Sequence, residues 1–187
     1  MSSLKKYFRK WRGNEKCPPR KPISKIIWSW VGAFVGIYLI SSFNNLLNIG
    51  GVNSLFLIGS FGASAVLVYG APMAEFSQPR NLLIGHVVSA FVGVTIFQFI
   101  SNDHYIPRAC AFAVATAIAL MHLTRSLHPP GGATALIAII GQQRIHQLGF
   151  WYVLSPVLTG AVILLIVALV INNLSANPQR HYPKYWF

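Results

Sequence analysis

Apolar stretches divide the chain into six segments separated by short polar turns. Ile26 to Phe43, Leu82 to Ile100, Arg108 to Leu123 and Phe150 to Ile171 are long and predominantly apolar. Each predicts a membrane-crossing helix, which takes about 20 such residues. Two further segments, Leu55 to Ala71 and Gly131 to Gly141, are richer in glycine and small polar residues. The second of these reaches only about 16 Å as a helix, roughly half the hydrocarbon thickness. The turns carry Asn44, Asn45, Asn48 and Asn53, then Asp103 and His104, then Gln142, Gln143, Arg144 and His146.

The order long, short, long occurs twice. At an offset of seventy positions, Gly62-Ala63-Ser64-Ala65 falls on Gly132-Ala133-Thr134-Ala135, Gly85 on Ser155 and Ser89 on Thr159. The pattern predicts an all-α integral membrane protein of six apolar helical segments in two three-segment repeats, the middle segment of each short or broken. Repeat one covers residues 26–100 and repeat two residues 106–172, within a transmembrane domain of residues 26–172. If each short segment crosses, the copies are inverted; if each dips in and returns, they are parallel. Inversion is the favoured arrangement, since short Gly/Pro-interrupted segments at matching positions point to a midplane transport site. Gly32 and Gly36 form a GxxxG pair, and Gly85, Ser89 and Gly93 a small-residue stripe, both suited to close packing.

Composition agrees with a membrane protein: 54% of the 187 residues are hydrophobic and 10% charged, against about a quarter charged in soluble domains. The net charge of +12 is concentrated at one end. Lys5, Lys6, Arg9, Lys10, Arg12, Lys16, Arg20, Lys21 and Lys25 all precede Ile26. That is the positive-inside pattern; it predicts residues 1–25 as a basic cytoplasmic tail and a cytoplasmic C-terminal tail over 173–187. The expected location is the plasma (inner) membrane. The basic run suits anionic lipid headgroups, either as a short amphipathic surface helix over Lys5 to Arg12 or as a tethered tail broken by Pro18, Pro19 and Pro22. No globular domain accompanies it, which argues against nucleic acid. Cys17 and Cys110 fall at different depths, which argues against a disulfide.

The candidate chemistry lies at the short segments. His128-Pro129-Pro130 precedes Gly131-Gly132-Ala133-Thr134. Prolines suit the first turn of a helix, and the first-turn amides lack intrahelical acceptors. With the helix dipole, such a terminus favours a small anion. Gly62, Ala63 and Ser64 offer the same from the other repeat. The same glycines also suit plain helix packing. A cation site would need carboxylates, and Glu15, Glu75 and Asp103 all lie outside the long apolar segments. His86, His122 and His128 lie in or beside apolar segments, where ionisable groups are costly and often functional: they are candidates to bind an anion, relay protons or hold a metal, and a backbone carbonyl partner is the plainer role. Arg80 faces either Glu75 or an anion. No metal site, cofactor site, nucleophile elbow or paired acids are evident, so no enzyme is expected.

His128-Pro129-Pro130-Gly131-Gly132-Ala133-Thr134-Ala135-Leu136 resembles the signature of the HPP family of integral membrane proteins. Gly59 to Ala65, Gln78-Pro79-Arg80-Asn81 and Gly85-His86 are similar to that family's first half. The resemblance covers roughly Ile26 to Ile171. It brings Ser60 and Asn81 among the candidate site residues, and it implies transport of nitrite or a related small anion, since plastid and cyanobacterial members are associated with nitrite. The expectation is therefore a transporter or channel for a small monovalent anion, nitrite first. Its expected binding groups lie at Ser60, Gly62, Ala63, Ser64, Gly131, Gly132, Ala133 and Thr134, with Arg80, Asn81, His86 and His128 beside them, of which Arg80, His86 and His128 are candidates for charge or proton coupling. A homodimer is allowed by the glycine stripes. The alternative is a membrane sensor or scaffold that transports nothing.

Overall fold

The computed structural model describes residues 3–13, 15–46, 58–99 and 103–187. All regular elements among them are helical: α1 (Ser3–Arg9), α2 (Ile23–Leu46), α3 (Gly59–Ala65), α4 (Pro79–Phe97), α5 (Ile106–Leu123), α6 (Pro129–Ile140), α7 (Gln143–Leu148) and α8 (Thr159–Leu174). α3 continues through a wide π turn over Val66–Gly70. Another wide turn, Val153–Leu158, leads into α8. Ser155 is extended there and Pro156 lies inside, so the missing proline N–H explains the kink. Residues 47–57, which include part of the polar turn read after the first segment, lie outside the described residues.

Among the described residues, four stretches are long and apolar enough to cross a membrane: Ile23–Phe43, Pro79–Phe97, Ile106–Leu123 and Val153–Leu174. Gly59–Gly70 and Pro129–Ile140 are shorter. Exposed apolar side chains such as Phe34, Phe112, Ile118, Ile166 and Val170 cover the outer faces, as lipid requires. α4 and α6 each start at a proline, where the absent N–H leaves no helix bond unmade. That moves both starts two or three residues ahead of the apolar runs at Leu82 and Gly131.

The glycines sit at the tightest contacts. A Cβ on Gly93 of α4 would stand 2.5 Å from Ala135 O of α6, and one on Gly85 would stand 2.6 Å from His128 Cβ. The two backbones therefore meet directly. The GxxxG pair of α2 takes a ring instead of a helix: Tyr69 lies over Gly32 and Gly36, and its hydroxyl donates to Leu164 O at 3.1 Å. Phe61 of α3 fills the equivalent notch over Gly160.

Contacts also fix how the helices run. Ser29, early in α2, donates to Tyr69 O at 2.8 Å. Asn172, late in α8, donates to Val68 O at 2.9 Å. Arg80, at the start of α4, donates to Thr124 O just past α5. One end of the bundle thus gathers the starts of α2 and α4 and the ends of the α3 turn, α5 and α8. The basic residues before α2 join this end. Along α4 and α6 the contacts advance together, Gly85 with His128 and Gly93 with Ala135, so these two helices are parallel. At the other end His146 of α7 stacks on Phe97, with ring centroids 3.9 Å apart.

The C-terminal residues, expected as a tail, fold back onto the bundle as a strap. Arg180 is fully buried and donates to Lys25 O, Ser29 Oγ, Tyr69 O and Asn172 Oδ1 at 2.7–3.3 Å. Its partners are neutral oxygens, and those at Tyr69 and Asn172 lie near helix C-terminal ends, where a cation also meets a favourable dipole. Tyr182 Oη then donates to Ser77 O at 2.7 Å, and the Lys184 N–H to Gln78 Oε1 at 2.8 Å. Burial, and then the nearby Glu75 carboxylate, push the Tyr185 phenol up from its ordinary pKa. The strap therefore holds residues 75–78, the turn between α3 and α4.

Candidate functional site

α3, α4 and α6 meet around a buried polar network. Ser60 and Ser64 lie one turn apart on the inward face of α3, and both are fully buried with His86, His128 and Thr134. Ser64 Oγ lies 2.7 Å from His86 Nε2 and 2.9 Å from His128 Nε2. His86 Nδ1 lies 2.7 Å from Thr134 Oγ1, which lies 2.8 Å from Ser60 Oγ. The chain closes at His128 Nδ1, 2.7 Å from Phe76 O. The two imidazole rings are 4.8 Å apart, centroid to centroid, at 64°. Phe61 meets His86 edge-on at 5.5 Å.

Local structure places each group. His86 is on the second turn of α4, beside Gly85, whose missing side chain lets His128 approach. His128 caps α6 in an extended conformation, so its ring projects off the helix start. Its N–H meets Met121 Sδ at 3.5 Å, and Ser89 Oγ meets the same sulfur at 3.6 Å. Tyr152 Oη donates to Thr134 O at 3.1 Å, fixing α6 from the other side. Phe76 O belongs to the turn that the strap holds.

A carbonyl has no hydrogen, so His128 Nδ1 is the donor to Phe76 O. Neutral His128 then has a bare Nε2, which accepts from Ser64. Every buried side-chain polar atom of the network has a partner, the condition under which such a cluster is tolerated in a core. All its groups both donate and accept, and none is a carboxylate. Among the described residues no three His, Cys, Asp or Glu side chains gather as metal ligands.

Comparison with known proteins places the molecule. The family description "HPP, transmembrane region" matches residues 18–183. The chain belongs to the HPP transmembrane family. Two transmembrane proteins of Dictyostelium discoideum are similar to it: one is 43% identical over 182 residues and another 42% over 186, each match covering 97% of this chain. The chain spans 57% and 63% of the length of these relatives. No solved structure matches it.

Within this HPP membrane domain the candidate residues separate into groups. Ser60, Ser64, His86, His128 and Thr134 are brought together. Gly62 and Ala63 are exposed on the far face of α3, and Gly132 and Ala133 are half-buried; a Cβ on Gly132 would stand 3.8 Å from Val114 Cγ1. Gly131 packs against Ser89 and Gly85. The start of α6 also differs from the open amides expected of it. Pro129 and Pro130 have no N–H, and the Gly131 N–H donates to His128 O at 2.8 Å. α6 therefore presents a hydroxyl and an imidazole to the network, not amides.

Arg80 gives its hydrogen bonds to Thr124 O, at 3.2 Å from Nε and 2.7 Å from Nη2, rather than to Glu75. Asn81 Nδ2 donates to Leu127 O at 2.8 Å, so both residues tie α4 to the turn ahead of His128. His122 is exposed on α5. Phe76 O, Met121 and the strap complete the surroundings of the site. Nothing in the sequence marks a carbonyl at position 76, whereas Ser60 and Ser64 at i, i+4 on a short apolar helix were a readable sign of an inward polar face.

Proposed function

We propose that this HPP domain transports a small monovalent anion, nitrite first, through a site between its two short helices. The observation that carries the reading is the buried Ser60–Thr134–His86–Ser64–His128 network, made jointly by α3, α4 and α6. A buried polar cluster in a membrane bundle is costly unless used. This one offers hydroxyl and imidazole N–H donors without a carboxylate, which suits an anion over a cation. The binding groups in this reading are the hydroxyls of Ser60, Ser64 and Thr134 with the two imidazoles. The first-turn glycines let the elements approach.

The same reading treats the domain as two inverted three-segment units. Successive long and short segments alternate in direction. Ser60 reaches Thr134 while Ser64 reaches the residue just before the prolines, a reciprocal pairing of the kind that a two-fold relation between α3 and α6 would give. Pro156 occupies the position corresponding to His86, so the imidazoles come from one side. We also propose that both termini are cytoplasmic in the plasma (inner) membrane. Lys and Arg residues support this: all except Arg108 and Arg144 belong to the end that carries the N-terminal tail. The basic α1, with exposed Tyr7, Phe8 and Trp11 around it, then meets anionic headgroups, and a homodimer remains compatible.

The test is uptake by liposomes containing the purified protein, with nitrite, nitrate, formate and chloride offered separately. Nitrite uptake above protein-free liposomes is expected. Absence of uptake for all four would overturn transport and favour the second reading, a membrane sensor or scaffold. That reading draws on the closed state of the network, in which every side-chain polar atom is already bonded. Ser64, His86 and Thr134 also have the order of a nucleophile, base and orienting group. The orienting group there is a neutral hydroxyl, where a hydrolase triad places a carboxylate that stabilises the imidazolium, and we do not propose an enzyme.

A further inference from the structure

We propose that the network is a directional proton relay that charges at His128, and that the proton is the ion coupled to anion passage. The coupling rests on the transport reading; the relay does not. The geometry allows two complete proton arrangements. In the structure Thr134 Oγ1 donates to Ser60 Oγ; the first arrangement turns these two hydroxyls, so that Ser60 donates to Thr134, Thr134 to His86 Nδ1, His86 Nε2–H to Ser64 Oγ, Ser64 to His128 Nε2, and His128 Nδ1–H to Phe76 O. Each of the five contacts, between 2.7 and 2.9 Å, then holds one proton and the network is neutral. Hydroxyl rotors and imidazole tautomers permit this assignment.

The second arrangement arises when a proton, delivered by water or a protonated weak acid, reaches Ser60 Oγ. Ser60 passes its original proton to Thr134, and Thr134 passes its own to His86 Nδ1. His86 releases its Nε2 proton to Ser64, and Ser64 releases its own to His128 Nε2. One O–H or N–H bond breaks and one forms at each step. His128 ends as an imidazolium and every group between is neutral again. All hydrogen bonds have reversed except the last. His86 has changed tautomer from Nε2–H to Nδ1–H. Phe76 O accepts a hydrogen bond but takes no proton, so the relay stops there. The added charge then sits where an anion is expected to bind. Onward release of Nδ1–H needs movement of the 75–78 turn, which Tyr182 and Lys184 of the strap hold.

The groups facing the two rings define what else could titrate with them. α3 contributes Ser60 and Ser64, α6 Thr134, and α5 Met121. The 75–78 turn and α4 carry Glu75 and Arg80, neither of which hydrogen-bonds an imidazole among the described contacts. The switch therefore belongs to the histidine pair itself.

The test is nitrogen NMR of histidine-labelled full-length protein in lipid nanodiscs, across a pH series. His86 and His128 signals are assigned with His86→Gln and His128→Gln. The expected result is that His128 gains a second proton and His86 changes tautomer over the same pH interval, and that Ser64→Ala uncouples the two. His128 titrating with His86 unchanged overturns the relay, as does a His128 that stays singly protonated throughout. If Ser64→Ala does not yield folded protein, the simultaneous change in the unmodified chain still decides. A pH-sensitive dye inside nitrite-loaded liposomes separates the two claims. Nitrite movement without proton movement overturns the coupling and leaves transport standing. The NMR switch without movement of nitrite, nitrate, formate or chloride leaves the relay standing and overturns transport.

Discussion

α3 and α6 reach the same network by different packing. α6 lies backbone to backbone on α4, with Gly93 against Ala135 and Gly131 against Ser89 and Gly85. α3 is held through aromatic rings: Phe61 over Gly160 and, one wide turn later, Tyr69 over Gly32 and Gly36. Its opposite face, with Gly59, Gly62 and Ala63, is exposed. In α6 the helix itself is the packing surface, so added atoms meet backbone. In α3 the side chains are the fasteners, so removed atoms leave cavities. Two segments that share a Gly-Ala-Ser/Thr-Ala pattern are therefore sensitive to opposite kinds of change.

Five substitutions test that contrast. The largest effect is expected for Tyr69→Ala, which empties the notch on α2 and removes the bond to Leu164 O. A loss of about 3–5 kcal/mol is typical of such aromatic truncation, read as a large fall in Tm in detergent. Next is Gly93→Val. Its Cβ would stand 2.5 Å from Ala135 O, and overpacking against backbone costs about 1–3 kcal/mol or more. An unchanged Tm would show that α4 and α6 do not meet as described. Tyr182→Phe removes only the hydroxyl that holds Ser77 O, for about 1 kcal/mol, and is expected to raise hydrogen exchange in the 75–78 turn above that of α6. The smallest change is Gly62→Ala. Nothing lies within 4 Å of its added Cβ, and the gain in helix propensity is up to about 1 kcal/mol. The same substitution at Gly131 would meet Ser89 Oγ at 2.5 Å and lower Tm.

The helical membrane architecture was legible because apolar run lengths and small-residue spacing report burial directly. The small stripe of α4 is a case in point: Gly85, Ser89 and Gly93 recur every fourth residue, and this face receives α6. The GxxxG pair of α2 was read through the same rule, yet its occupant is a ring from thirty-three residues beyond Gly36. Spacing identifies a notch, not what fills it. The histidines were legible as costly groups in apolar surroundings. Their shared partner Ser64 was legible only as a helix-terminus residue, because a contact across sixty-four positions leaves no local trace. Arg180 was hidden for another reason. A basic residue near a chain end reads as solvated, and only the carbonyls converging from α2, α3 and α8 make its burial possible.

The most direct measurement of the central claim compares nitrite uptake by liposomes containing the unmodified protein and Thr134→Val. Valine keeps the shape of the side chain and removes the hydroxyl that bridges His86 and Ser60. The account predicts uptake by the unmodified protein, and at least a tenfold loss in the variant while it remains folded and monodisperse. Equal uptake by the two proteins, or none by the unmodified one, would contradict a transport site shared between the short helices.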